Sequence, residues 1–524
     1  MTKHSFGRSF AIAILMLLFA VQIGAQEKVD LQVVQRLRKE GLENSKVMEY
    51  LSYLSDVHGP RLSESPQYRK AGEWVVATLT QLGLVNGKME PYGPFGRGWE
   101  LRKFYGAMTA PQYMPLVAYP KAWTPGTNGL VKGNPVLVSV GKVEELEKFK
   151  GQLKGAIVLT QGEQPDDISF DPSASRLSDE DLKALETAPL PGAVPFGPGR
   201  MQEMMARRQL QAAVGKFLKD EGAAVIVEPS RGKNGTVWVQ SGGSQAKDAP
   251  MPLPSVVVSA EQYDRIIRIL KKKIPVTLEI EVEARFTDDD LQGYNVIAEI
   301  PGADKKLKDE VVMLGGHFDT WHGGTGATDD GAGCAVAMEA VRILKAIGVQ
   351  PRRTIRVAMW DAEEQGFVGS RNYVKNHFFN REKKEKLPAY DKLSVYFNFD
   401  NGSGKIRGIY AQGNNAAVPI FEDWLGPFHD LGATAVTIRT TGGTDHLSFD
   451  GVGLPGFQFI QDDLEYDTLT HHSTMDVYDH ASAGDLMQAS TVMAWFVYNA
   501  AMRNERMPRK YFDPNAPVVG RFGR

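Results

Sequence analysis

Cysteine is nearly absent from this chain of 524 residues, which has only Cys334. An intramolecular disulfide is therefore excluded, and the fold has to rest on its core. Cys334 lies among alanine and valine in a stretch predicted as helix. It reads as a small buried residue, because no activating histidine shares its helix face. Net charge is scarce too: 60 Lys and Arg against 63 Asp and Glu leave −3. That balance excludes a general pull toward nucleic acid or an anionic membrane. The basic clusters at 271–273 and 381–386 are broken or flanked by acids and apolar positions and read as solvated faces. Only one long apolar run is present, Phe10 to Val21, and it is shorter than a membrane-spanning helix requires. No internal repeat is found.

That apolar run has the layout of an export signal. Lys3 and Arg8 precede it, and Gly24-Ala25 supplies small residues for cleavage. Residues 1–25 are therefore expected to be removed, leaving a mature chain that begins near Gln26 and works as a secreted or periplasmic protein. No cysteine near the cleavage site supports a lipoprotein. The length predicts two or three domains. Hydrophobic residues at 42% and charged residues at 23% fit a soluble globular chain with a sizeable core.

Apolar spacing predicts helices over 29–54 and 68–84, separated by a turn at 58–63. Its His58 reads as structural. Residues 130–290 alternate strands (near 155–159, 223–227, 254–259 and 277–286) with helices (209–222 and 260–272), and carry no catalytic constellation. They read as a smaller inserted domain, with 163–199 as a long surface loop. From Tyr294 the pattern is a helix-flanked α/β sheet. Strands are expected at 294–299, 311–317, 354–360, 393–399, 406–411, 434–440 and 456–460, and helices at 332–347, 368–378, 416–430 and 482–503. The tail from Arg506 is expected to be loosely held.

Chemistry-bearing residues recur at the ends of these strands, where α/β sheets gather their ligands. Gly315-Gly316-His317-Phe318-Asp319 comes first. His317 offers a metal a ring nitrogen, and Asp319, two residues on, can accept the proton of the other nitrogen or lie behind the metal. Asp329 and Asp330 follow in a turn of small residues. Adjacent carboxylates repel unless a cation or a donor array neutralises them; capping the next helix accounts for one of them but hardly for both. Glu363 and Glu364 directly after a core strand suggest one metal ligand and one general base. Asp400 ends a third apolar run, where an acid serves equally as turn residue or ligand. Thr470-His471-His472-Ser473-Thr474-Met475-Asp476 holds the only adjacent pair among ten histidines. Thr444-Asp445-His446 precedes it in a glycine-rich loop. One of these histidines should complete a metal site, and the others could line a substrate cleft. The order of imidazoles and carboxylates is that of a zinc hydrolase.

These motifs resemble those of the two-zinc exopeptidases that include bacterial leucyl aminopeptidases and glutamate carboxypeptidases. The resemblance implies the α/β, helix-flanked mixed sheet of that family, formed by 26–129 and 291–505. It identifies 130–290 as a protease-associated domain and leaves 506–524 as a C-terminal extension. It also implies two Zn2+ per chain. His317 and Asp400 would serve one ion, Glu364 and His472 the other, and Asp329 would bridge them. Asp319 would orient His317, and Glu363 would be the general base. A cis peptide would join Asp329 to Asp330. Some family members carry Tyr directly before the last histidine. Here the residue is His471, which is placed tentatively with the transition state, and Asp445 and His446 are placed tentatively with substrate. The partner implied is a peptide or dipeptide, with no nucleic acid and no membrane anchor after signal cleavage. A homodimer is left open. Acids outnumber basic residues around the motifs, which favours binding a free amino terminus, hence an aminopeptidase or dipeptidase. A glutamate-type carboxypeptidase is the alternative. A one-zinc, glutaminyl-cyclase-like enzyme and a non-catalytic binding protein are disfavoured by the full ligand set. Metal content of two, one or none separates these last readings.

Overall fold

Residues 27, 29–164, 168–187 and 198–515 are described by the computed structural model; the export signal expected over 1–25 lies outside them. Their frame is an eight-stranded mixed sheet. In chain order its strands are β1 (Val85–Pro94), β2 (Gln292–Ile300), β3 (Val311–His317), β4 (Thr354–Trp360), β5 (Leu393–Asn398), β6 (Ile406–Tyr410), β7 (Ala435–Thr437) and β8 (Gly456–Gln461). Across the sheet they run β1-β2-β4-β3-β5-β8-β6-β7. The four central strands, β4, β3, β5 and β8, are mutually parallel, so their carboxyl ends share one edge. The outer strands supply the antiparallel pairs β1–β2, β2–β4 and β6–β8.

The central strands are apolar at almost every position because both faces are covered. On one face Val312, Leu314, Ile355, Val357 and Met359 pack with helices α1 (Ala332–Ala346) and α2 (Ala483–Met502), and with the N-terminal helices Leu31–Glu43, Val47–Ser52 and Pro66–Gln81. On the other, Met313, Ala358 and Trp360 pack with helix Val368–His377 and Phe449. Each fully buried Val, Leu or Ile contributes about 1.5–3 kcal/mol, so this double cover holds the strand ends rigidly. Cys334 is buried in α1, as its neighbours imply. Among the described residues no helix is long and apolar enough to cross a membrane.

A second lobe has its own core around Ile157, Val225, Val256 and Ile266. It contains a five-stranded sheet built on Ile157–Leu159, Val225–Pro229 and Ser255–Val258, and a four-stranded one. The latter begins earlier than the boundary expected at 130: Gly98–Ala110 pairs along its length with Thr277–Thr287. That strand and β1 were not legible, because polar residues and prolines interrupt their alternation. The loop after β3 locks the lobes together. Trp321 packs edge-on to Trp123, and His322 Nε2–H donates to the Pro120 carbonyl at 2.7 Å.

Two other expectations are corrected. The segment read as a surface loop at 163–199 folds in part into helix Asp179–Thr187, and 173–187 is strapped across the first lobe. Arg176 bridges Asp462 and Asp485 at 2.7 and 2.6 Å, Leu182 packs with Ala435 and Ile460, and Thr437 donates to the Leu185 carbonyl. The tail is docked at least to Phe512. Met507 is buried, Arg509 donates to the carbonyls of Tyr390 and Leu393, and Phe512 packs on Phe379. Composition suggested looseness in both segments, but tertiary ion pairs and aromatic contacts decided otherwise.

Arg176→Ala should release the strap. Faster proteolysis within 168–187 is expected, with a stability loss of about 1 kcal/mol, because half of the arginine is in solvent. Limited proteolysis and urea unfolding would check both.

Candidate active site

Parallel β3, β4 and β5 deliver their terminal residues to one place. His317 is the last residue of β3 and lies in register with Trp360, so Glu363 and Glu364 follow one turn beyond it. Asp400 comes two residues after the end of β5. The loop after β8 returns as Tyr466–Thr470 and presents His471 and His472.

Asp329 stands at the centre. Its Oδ1 is 3.1 Å from His317 Nε2, which is 3.7 Å from Asp400 Oδ1. Its Oδ2 is 3.2 Å from His472 Nε2, which is 2.9 Å from Glu364 Oε2. His471 Nε2 is 3.8 Å from the same Oδ2. Two groups capable of holding a metal thus share Asp329: His317, Asp329 and Asp400, and Asp329, His471 and His472. Glu364 closes on the second group through His472. The peptide between Asp329 and Asp330 is cis.

The donor chemistry fits divalent cations. His317 Nδ1–H donates to the Asp319 carbonyl at 2.9 Å. A neutral ring therefore turns the lone pair of Nε2 toward the carboxylates of Asp329 and Asp400, and only a proton or a cation reconciles these acceptors. Burial would lower the pKa of His317, but Asp400, Asp319 and Asp329 raise it well above its ordinary value. Asp329 Oδ2 and Glu364 Oε1 are buried without a hydrogen-bond partner. Burial, with Asp329 as the nearest like charge, pushes the Glu364 carboxyl well above the usual range. Imidazole and carboxylate donors of this kind suit zinc.

Glu363 is buried beside this cluster. Burial raises its carboxyl well above the usual range; Asp400, Glu364 and Asp445 add to the rise and His317 opposes it. A buried carboxyl beside such a cluster is suited to taking and returning a proton.

Asp319 has a different geometry from the one expected. Its carboxylate is 3.7 Å from His317 Nδ1, which is served by the Asp319 carbonyl instead. Oδ1 accepts from the Glu363 N–H at 3.0 Å, and Oδ2 accepts from the Glu364 N–H and the Ser63 hydroxyl. It thereby fixes the turn that carries both glutamates. Asp330 caps α1 through Gly333 N–H and also accepts from His317 N–H, and a side chain on Gly316 would collide with it. Asp445 is fully buried on Ser370, and His446 is fully buried against Gln412 and the Thr441 carbonyl. Burial lowers the His446 pKa to about 4. His58 packs on Trp74, outside either metal-holding group.

Comparison with known proteins agrees with this geometry. The model of peptidase family M28 matches residues 295–497. Residues 295–497 are therefore similar to that family, and the chain is a metallopeptidase. Carboxypeptidase Q from Homo sapiens is 26% identical over 470 residues, spanning 90% of this chain and 88% of that protein. In fold, the peptidase is similar to a peptidase M28 precursor from Shewanella amazonensis SB2B, with a TM-score of 0.65, 24% identity, and coverage of 92% and 98% of the two chains. It is also similar to a zinc aminopeptidase from Bacillus subtilis, with a TM-score of 0.54, 19% identity, and coverage of 87% and 94%.

Sequence reasoning missed the peptidase's supporting residues. Arg61, assigned to a simple turn, is fully buried and donates to the carbonyls of Leu54, Phe318, Thr325 and Gly326. It ties the strand end at His317 to the loop before Asp329. Asp476 accepts from the N–H and hydroxyl of Thr328, fastening the histidine loop to that same loop. The signal for Arg61 was faint, one arginine among polar turn residues; Asp476 stood in the histidine motif with no role assigned to it.

Arg61→Leu leaves several carbonyls buried without donors. A loss of at least about 3 kcal/mol is expected, read as a lowered urea midpoint with the slope unchanged.

Proposed function

We propose that this peptidase is an exported two-zinc exopeptidase that hydrolyses short peptides at a free amino terminus, as an aminopeptidase or dipeptidase. The observation that carries the reading is the position of Asp329, with one oxygen toward His317 and Asp400 and the other toward His472 and Glu364. Zinc follows from this donor set and from the likeness to a zinc aminopeptidase. His317 and Asp400 would hold one ion, Glu364 and His472 the other, and Asp329 both. Two ions held there would polarise the scissile carbonyl and acidify a water.

The chain's own residues carry the proton. Glu363 takes it from the attacking water and returns it to the leaving amine, a role its raised pKa permits. Asp319 holds the Glu363–Glu364 turn so that this carboxylate faces the site. His471, whose ring lies against Tyr466 and His472, is placed to steady the developing oxyanion. The second lobe, taken as a protease-associated domain, walls the cleft with Trp238, edge-on to both histidines. Export rests on the layout of residues 1–25, and processing is expected to leave a chain that begins near Gln26.

The choice of substrate end rests on the balance of charge. Of the acids counted for an amino terminus, Asp445 is held by Ser370, Asp462 by Arg176 and Arg407, and Glu465 by His480. Asp463 accepts from the Asp467 N–H at 3.3 Å, and both line a cavity of about 430 Å3 beside Tyr466. One observation favours a second reading. Arg231 of the second lobe lies over Trp238, 4.5 Å from the ring centroid, where a guanidinium could meet a substrate carboxylate. A dipeptidase would use both ends, and a glutamate-type carboxypeptidase mainly this one.

N-acetylation of a good dipeptide should nearly abolish cleavage. C-terminal amidation should be tolerated by an aminopeptidase and resisted by a dipeptidase. Cleavage of acetylated but not amidated substrate would move the assignment to the carboxypeptidase. Separately, Glu363→Gln should lower kcat by at least about 10²–10⁴-fold while zinc content stays at the wild-type value. An active, metal-replete variant would remove Glu363 from its role.

A further inference from the structure

The second lobe reaches the metal-binding residues through one short segment, 237–240. It runs beside the histidine loop as an added strand would. Val239 N–H donates to the His472 carbonyl at 3.3 Å, and Thr474 N–H donates to the Val237 carbonyl at 3.0 Å. Val237 N–H donates to the Thr474 hydroxyl, and Trp238 is bridged to Ser473. Val237 and Val239 are buried, so the register of this pairing is held by the core of the lobe. The same register sets the Gln240 carboxamide 2.9 Å from His472 Nδ1.

We propose that Gln240 is a positioning residue for the metal centre, by which the second lobe orients the His472 ring and sets the affinity of the half formed with Glu364. This rests on the two-zinc reading above. An imidazole that binds a cation through Nε2 carries its proton on Nδ1, and that proton needs an acceptor; such partners commonly decide ligand orientation. Without a cation, Nε2–H faces Glu364 Oε2 at 2.9 Å and Asp329 Oδ2 at 3.2 Å. Nδ1 is then the acceptor, and the Gln240 amide N–H donates to it. A carboxamide serves both states by turning over: its nitrogen faces Nδ1 in one and its oxygen in the other. A carboxylate at this position could only accept, and an aliphatic chain could do neither. Trp238, edge-on to His471 and His472, and Trp321, edge-on to His472, leave the ring little room to tilt. To these ring contacts Gln240 adds a directional one at Nδ1.

The test is zinc titration of the full, metal-stripped chain against a competing chromophoric chelator, for wild type, Gln240→Leu and Gln240→Glu. Thermal unfolding of each metal-free form is recorded in parallel. Wild type is expected to bind two ions. Gln240→Leu should weaken one of the two by about 10–100-fold, leave the other unchanged, and unfold at the wild-type temperature when metal-free. Gln240→Glu should bind both ions at least as tightly as wild type, which a loss of packing alone would not produce. Unchanged affinities in Gln240→Leu, or no recovery in Gln240→Glu, would overturn the proposal while the two-zinc reading stands. Fewer than two ions in wild type would overturn both.

Discussion

Carboxylates taken out of water repel one another, and the cleft of this peptidase crowds Asp319, Asp329, Asp330, Glu363, Glu364 and Asp400 together. Such a group persists only if each member finds a donor or a cation. The structure divides them accordingly. Asp319 and Asp330 are answered by backbone N–H groups from Glu363, Glu364, His317 and Gly333. Asp329, Asp400 and Glu364 face imidazoles, and two of their oxygens are buried with no hydrogen-bond partner. The acids that meet backbone N–H donors build the site, and those left facing imidazole nitrogens are the ones that suit a metal.

Rigidity is needed to hold like charges at these spacings, and the sheet supplies it. Three parallel strands, each apolar on both faces, end within reach of one another, and Arg61 ties the loops beyond them through four backbone carbonyls. A buried guanidinium serves here because it is permanently charged and offers five donors in a fixed plane. Its neighbours accept from it as backbone, so it joins the loops without consuming any of the carboxylates the site uses.

Legibility in the sequence followed the range of the forces involved. The central strands β3 and β4 were readable to the residue, because burial on both faces produces an unbroken apolar run between polar ends. The ligand candidates were readable because acids and imidazoles recur at several such ends, although each alone serves equally as a turn residue. β1 and Gly98–Ala110 were not, since edge or partly solvated strands carry mixed side chains. The carboxylate of Asp319 was assigned to His317 through the family resemblance, whereas the chain turns so that its own carbonyl takes that proton. Asp445 and His446 sit in a glycine-rich loop that folds inward and buries both, which the sequence did not signal. The strap at 173–187 and the tail were taken for loose segments, because a contact such as Arg176 with Asp462, 286 residues apart, leaves no local trace.

The two halves of the site are built differently. His317 lies within the sheet ladder, paired with Trp360, and Asp400 follows a strand paired on both sides. His472 lies in a loop with left-handed backbone, φ 60°, a conformation non-glycine residues adopt only where surroundings enforce it. Those surroundings come from two directions: Asp476 fastens the loop to Thr328, and segment 237–240 pairs with it from the second lobe. The second lobe is in this sense a structural part of the site and not only a wall of its cleft.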